Sequence, residues 1–252
     1  MMTNIKVLVV LQARMSSKRL PGKVLMDLNG VPMLQRQLAR ISKCEKIDKV
    51  LVATSNTKDD NPILSLCENL GIASYGGPLE NVLQRFIEVL DRNPHEVIVR
   101  LTGDCPLFMP ALCDQMISEF LKSNFDYYSN TITPSFPDGL DIEIFRADVL
   151  RKVASQAVSK DELEHVTLGI YRRPEMFICG NFSNDQNLAE LRWTVDTESD
   201  LDFVRKIYAN FEGRESEFNL QEVLYYLEIN PHLSNIDPGN LRNSALNQEL
   251  GK

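Results

Sequence analysis

With 252 residues, 43% of them hydrophobic and 25% charged, the chain can fill one complete hydrophobic core and needs neither a disulfide scaffold nor a disordered reading. A net charge of -8 argues against a general nucleic-acid binder, whose footprint is broadly basic. The five cysteines (Cys44, Cys67, Cys105, Cys113, Cys179) show no CxxC spacing and only three histidines accompany them, so reduced thiols are expected and a zinc site is not.

The elements then follow in chain order. Residues 5–11 form a continuous apolar run, the pattern of a strand covered on both faces. Residues 33–41 have helical spacing, with Leu34, Leu38 and Ile41 on one side. A strand is expected over 49–54. A helix should begin with Asn61 as cap and Pro62 as its first residue, and end at Gly71. Residues 72–75 read as a strand closed by Gly76 and Gly77, and 79–90 as a helix burying Val82, Leu83, Phe86 and Leu90. A strand over 96–101 and a helix from Pro110 to about residue 121 continue the alternation.

This β-α repetition predicts an α/β fold, a doubly wound and mostly parallel sheet in a single domain. Ligands of such sheets lie beyond the carboxyl ends of the strands, so the loops after Leu11, Thr54 and Leu101 should share one crevice. The middle is less regular. Strands are expected over 125–130, 139–145 and 192–196, and helices over 198–209 and 219–228. No run approaches the ~20 apolar residues of a membrane helix, and the charged loop after residue 11 replaces a leader's cleavage site, so cytoplasm is the expected compartment.

Four segments could carry chemistry. The first is LQARMSSKRLPGKVL, residues 11–25. The first 26 residues hold five basic side chains and no acidic one, and Arg14, Lys18, Arg19 and Lys23 crowd into this loop. Arginine forks and lysine point charges suit phosphate oxygens, and Ser16 and Ser17 add donors. Pro21-Gly22 should fold Lys23 back toward the strand end. No P-loop or GxGxxG pattern is present, so a solvated basic loop is the other reading. In the second, Leu101-Thr-Gly-Asp-Cys-Pro106, Asp104 at a strand end suits either magnesium, which takes few carboxylates plus phosphate oxygens, or a turn or helix cap. The third, RWTVDTESD at 192–200, places Asp196 at another strand end, while Thr197 and Asp200 form a shortened capping box. The fourth is Asp141-Ile-Glu143, a metal pair of glycosyltransferase type or the polar face of a strand. His165 is read as a packed or capping residue, or as a base.

Taken together, LQARMSSKRLPGKVL, VLVATS, ENVLQRF, VRLTGDCPLF, DGLDIEIF, EHVT and RWTVDTESDLDFV resemble the cytidylyltransferase family of CMP-sugar-acid synthetases. The likeness is to the branch of the spore coat polysaccharide biosynthesis protein F type. It implies a nucleotide-diphospho-sugar transferase-like (Rossmann-like) fold and transfer of CMP from CTP, with Mg2+, to a small acidic sugar or phosphorylated acceptor, releasing pyrophosphate. It also implies a homodimer, with neither nucleic acid nor membrane as partner. By motif position the nucleotide would meet Leu11, Ala13, Arg14, Ser16, Ser17, Arg19, Lys23, Thr54, Arg85 and Thr102. Arg14, Lys23 and Asp104 would be catalytic, Asp104 and Asp196 would hold the metal, and Asp141, Glu143 and His165 would face the acceptor. Thr102 stands where other branches carry Gln. The expected organisation is a nucleotidyltransferase domain over 1–235, its 125–190 segment serving acceptor and dimer, and a polar tail over 236–252. A glycosyltransferase on the same fold is the alternative, and a non-catalytic binding subunit the third reading.

Overall fold

A computed structural model of the chain describes residues 5–157 and 159–233. The strands are β1 (Val7–Gln12), β2 (Asp27–Leu28), β3 (Val31–Pro32), β4 (Lys49–Ser55), β5 (Ala73–Gly77), β6 (Val97–Thr102), β7 (Tyr127–Ser129), β8 (Glu143–Arg146) and β9 (Cys179–Asn181). The helices are α1 (Met33–Ile41), α2 (Asn61–Asn69), α3 (Val82–Arg92), α4 (Pro110–Lys122), α5 (Ala147–Ala154), α6 (Lys160–Glu164), α7 (Leu168–Tyr171), α8 (Glu198–Asn210) and α9 (Leu220–Ile229).

Seven strands form one sheet in the order β5-β4-β1-β6-β8-β7-β9, and β2 pairs with β3 separately. β5, β4, β1 and β6 run parallel, while β8 runs antiparallel to both its neighbours. The apolar run at β1 is explained by burial on both faces. Val7, Val9 and Leu11 enter the core shared with α1, α2, α4, α8 and α9, and Leu8 and Val10 enter the one shared with α3, α5 and α7. Each such side chain contributes about 1.5–3 kcal/mol by leaving water. The doubly wound, single-domain expectation therefore holds.

Several boundaries move. α3 starts three residues later than expected, because Asn81 caps it by accepting from the Gln84 N–H at 2.9 Å. Pro62 sits second in α2, and β5 runs on through Gly76 to end at Gly77. The strand expected over 139–145 is reduced to β8. Gly139 has φ 108, and a Cβ there would meet the Thr194 nitrogen at 2.5 Å, so the chain turns against residues 193–194 before it can join the sheet. Residues 192–196 are not a strand. One isolated bridge joins Arg192 to Asp138, the Trp193 N–H donates to Asp138 O and the Val195 N–H to Asp104 O. With partners on two different loops, the segment has no single neighbour to build a ladder with. The expected tail, 236–252, lies outside the described residues.

Candidate active site

β1, β4 and β6 end side by side, and the loops that follow are stitched together: the Ala13 N–H donates to Ala53 O and the Gly103 N–H to Gln12 O. Above them lies a cavity of about 1320 Å³. The cationic loop forms one wall. Met15 O accepts from the N–H groups of Ser17 and Gly22, and Gly22 adopts φ 74, turning the chain so that Lys23 points back into the site. Ala13, Arg14, Ser16, Ser17, Arg19 and Lys23 all line the cavity.

Lys23 is 7% exposed, and its ammonium has three oxygen partners: Asp104 Oδ2 at 3.0 Å, Asp196 Oδ1 at 2.9 Å and Val195 O at 2.7 Å. Asp196 Oδ2 accepts from Arg192 at 2.6 Å and pairs with Arg19 at 2.8 Å. Asp104, just beyond β6, and Asp196, just before α8, therefore converge on one point. Burial opposes charge on Asp104, but Lys23, together with hydrogen bonds from Thr102 and Lys23, holds its carboxyl well below the usual carboxylate range. Burial likewise opposes charge on Lys23, and the two carboxylates raise its pKa above the ordinary lysine value. Asp104 caps no helix, since the residue before α4 is Met109. Asp200 is the cap the sequence suggested: its Oδ2 accepts from the N–H groups of Asp196 and Thr197 at 2.9 Å each, and Thr197 Oγ1 accepts from the Asp200 N–H.

Asp141, Glu143 and His165 line the same cavity. Glu143 is engaged: Arg100 pairs with one oxygen, and the Tyr127 and Thr167 hydroxyls donate to the other. Burial would raise its pKa, but Arg100 and these hydroxyls hold it below the ordinary glutamate value. It is thus a charged floor residue with its oxygens already used, and a poor proton acceptor. His165 follows α6, its N–H donating to Asp161 O. Thr102 lines the cavity beside Cys105, with its hydroxyl 3.4 Å from that sulfur.

Leu11, Thr54 and Arg85 lie behind the walls. Leu11 and Thr54 are fully buried and Arg85 is 1% exposed. Thr54 donates to Asp60, and Arg85 donates to the carbonyls of Pro78 and Leu79, bracing the segment whose Leu79, Glu80 and Asn81 line the cavity. Two residues that bind the site together escaped the sequence reading. Asp60 accepts from the Met15 N–H at 2.7 Å and from Thr54 and Ser55, so it ties the cationic loop to β4. Arg192 joins Asp138, Asp196 and Asp200. The four-residue steps from Arg192 to Asp196 to Asp200 were the available signal for it; nothing in the sequence pointed to Asp60.

The profile of the cytidylyltransferase family matches residues 8–226, a span that takes in the cationic loop and both aspartates. The chain belongs to the cytidylyltransferase family. Its likeness to the spore coat polysaccharide biosynthesis protein SpsF of Bacillus subtilis is 31% identity over 89% of this chain and 95% of that one. A 3-deoxy-manno-octulosonate cytidylyltransferase of Hydrogenovibrio crunogenus is 34% identical over 52% of this chain and 53% of its own. Among solved structures, a cytidylyltransferase from Leptospira borgpetersenii superposes with a TM-score of 0.88 at 27% identity, covering 94% of this chain and 99% of its own. The protein is thus a CTP-dependent nucleotidyltransferase of the SpsF-like branch, with the nucleotide-diphospho-sugar transferase fold. In this cytidylyltransferase the donors come from the β1 loop and the carboxylates from the turn after β6 and the segment before α8. No helix among the described residues is long and apolar enough to cross a membrane.

Proposed function

We propose that this cytidylyltransferase moves CMP from CTP to a small acidic sugar, or a related surface-polysaccharide precursor, and releases pyrophosphate. The observation that carries this reading is the meeting of the cationic β1 loop with Asp104 and Asp196 over one cavity. Arg14, Ser16, Ser17 and Arg19 hold the triphosphate. Arg14 and Lys18 have no hydrogen bond or ion pair among the described residues, which leaves their donors available to phosphate oxygens. An acceptor oxygen bonds to the α-phosphorus, the bond to pyrophosphate breaks, and the hydroxyl proton is released.

A divalent metal fits the carboxylate pair. Asp104 and Asp196 already share one cation, the Lys23 ammonium, within hydrogen-bond distance of both. Magnesium held by these two aspartates supplies positive charge against the charge that develops in phosphoryl transfer. Glu143 keeps Arg100 in place, and Asp141 and His165 line the acceptor lobe. The engagement of Glu143 by three protein groups disfavours a glycosyltransferase whose metal would need it.

A homodimer through residues 125–190 belongs to this reading. Exposed Ile132, Met176 and Ile178 in that segment support it, as does β9, which pairs on one side only. The test of the function is pyrophosphate release across four nucleoside triphosphates with a panel of acidic sugars and phosphorylated acceptors. Release with CTP and an acidic sugar is expected. Preference for UTP or ATP, or release of a nucleoside diphosphate from a nucleotide sugar, would overturn it.

A further inference from the structure

A lysine ammonium has three protons to donate. Lys23 spends all three on Asp104, Asp196 and the Val195 carbonyl, at 3.0, 2.9 and 2.7 Å. In this arrangement it has no donor left for a phosphate oxygen, although it stands in the loop that faces the cavity. It also occupies the place between the two carboxylates. A divalent ion would bind each of those oxygens at about 2.0–2.1 Å, and two cations that close repel strongly, so ammonium and metal exclude one another there.

Given that the cavity takes Mg-CTP as proposed above, we propose that Lys23 is the positioning residue of the Asp104–Asp196 pair: a resident cation that keeps the empty site converged and makes metal binding conditional on the nucleotide. Without a cation between them the two carboxylates would repel and part. Metal arriving alone must expel the ammonium from a buried position by taking over both of its carboxylate partners. Nucleotide arriving with metal brings its own phosphate oxygens, to which the flexible lysine stem can transfer. The exchange touches few contacts. Asp196 Oδ2 keeps its arginine partners, Arg192 and Arg19, while Asp196 Oδ1, Asp104 Oδ2 and the Val195 carbonyl give up the ammonium. Lys23 directly follows Gly22, whose φ of 74 places a glycine at the base of the moving side chain.

The probe is Mn2+, with free ion counted by electron paramagnetic resonance on the full-length protein, no acceptor being present. Wild type is expected to bind Mn2+ at least tenfold more tightly with CTP than without. Lys23→Met is expected to bind Mn2+ without nucleotide at least tenfold more tightly than wild type, and Asp104→Asn in that background should abolish the gain. Lys23→Arg, which keeps a cation between the carboxylates, should keep the weak Mn2+ binding of wild type in the absence of CTP. A folded Lys23→Met with no gain overturns the proposal. If that variant does not fold, wild type decides: equal Mn2+ affinity with and without CTP overturns it. Failure of the functional reading looks different, since the assay described above would then show pyrophosphate release favouring UTP or ATP, or a nucleoside diphosphate leaving a nucleotide sugar.

Discussion

Every donor of Lys23 and one oxygen of each aspartate meet at a single point, so single-residue changes there should act on the chemistry before they act on the fold. Asp104→Asn keeps the shape of the side chain and removes its charge; pyrophosphate release is expected to fall about 10²–10³-fold with an unchanged circular dichroism spectrum. Wild-type turnover in that variant would remove Asp104 from the site. The ionisation of the cluster also fixes a pH dependence. A carboxyl held below its unfolded value of about 4 stabilises the fold above that value and loses the contribution as pH falls through its folded pKa. A lysine held above its unfolded value of about 10.4 stabilises below that value and loses the contribution as pH rises through its folded pKa. In urea titrations, the difference between wild type and Lys23→Met should therefore be flat from about pH 5 to about pH 9, and shrink at both extremes. Its size should be about 3 kcal/mol, the cost of leaving a largely buried pair half complete. A difference that slopes through neutrality would contradict the assignment.

Among the elements, the stretches that hold the site are those without regular structure. Residues 192–196 are fixed from three directions: by loop carbonyls, by Arg192 and by the cap of α8. Gly139 presses on this segment, and no side chain fits there. Gly139→Ala should cost at least about 2 kcal/mol in chemical denaturation and should also impair nucleotide binding, by displacing the backbone that leads to Asp196. The cationic loop depends on Asp60, which is 1% exposed and kept below the ordinary carboxylate pKa because hydrogen bonds from Ser55, Met15 and Thr54 outweigh its burial. Asp60→Ala should raise the KM for CTP, as the Met15 N–H and the Thr54 hydroxyl lose their shared acceptor. An unchanged KM in a stably folded variant would make Asp60 a matter of stability alone.

At the scale of the molecule, the sheet separates two cores and gathers the functional loops at one edge. The remaining apolar exposure in the middle segment leads to a testable assembly: light scattering coupled to size exclusion should give a dimer, and Ile178→Asp should shift it toward monomer. The alternation of apolar strands and amphipathic helices up to residue 122 was readable because each strand is buried on both faces and each helix on one, which leaves a local periodic mark. The cationic loop and Asp104 were readable for a related reason, as both directly follow strands that periodicity locates. The short helices α5 to α7 were not, because they are too brief to leave a clear periodic mark, and neither was the irregular path of 192–196, because its hydrogen bonds reach residues far away in the chain. The sequence by itself determined which side chains would be charged and, for the cationic loop and Asp104, at which strand ends they would stand. Only the tertiary structure decided which of them share an oxygen: that Lys23 rests on both aspartates, that Glu143 is consumed by Arg100, and that Thr54 and Arg85 brace the walls from behind. Pairing between residues 173 positions apart, as Lys23 and Asp196 are, leaves no periodic trace, since it is fixed by packing in three dimensions and not by neighbours along the chain.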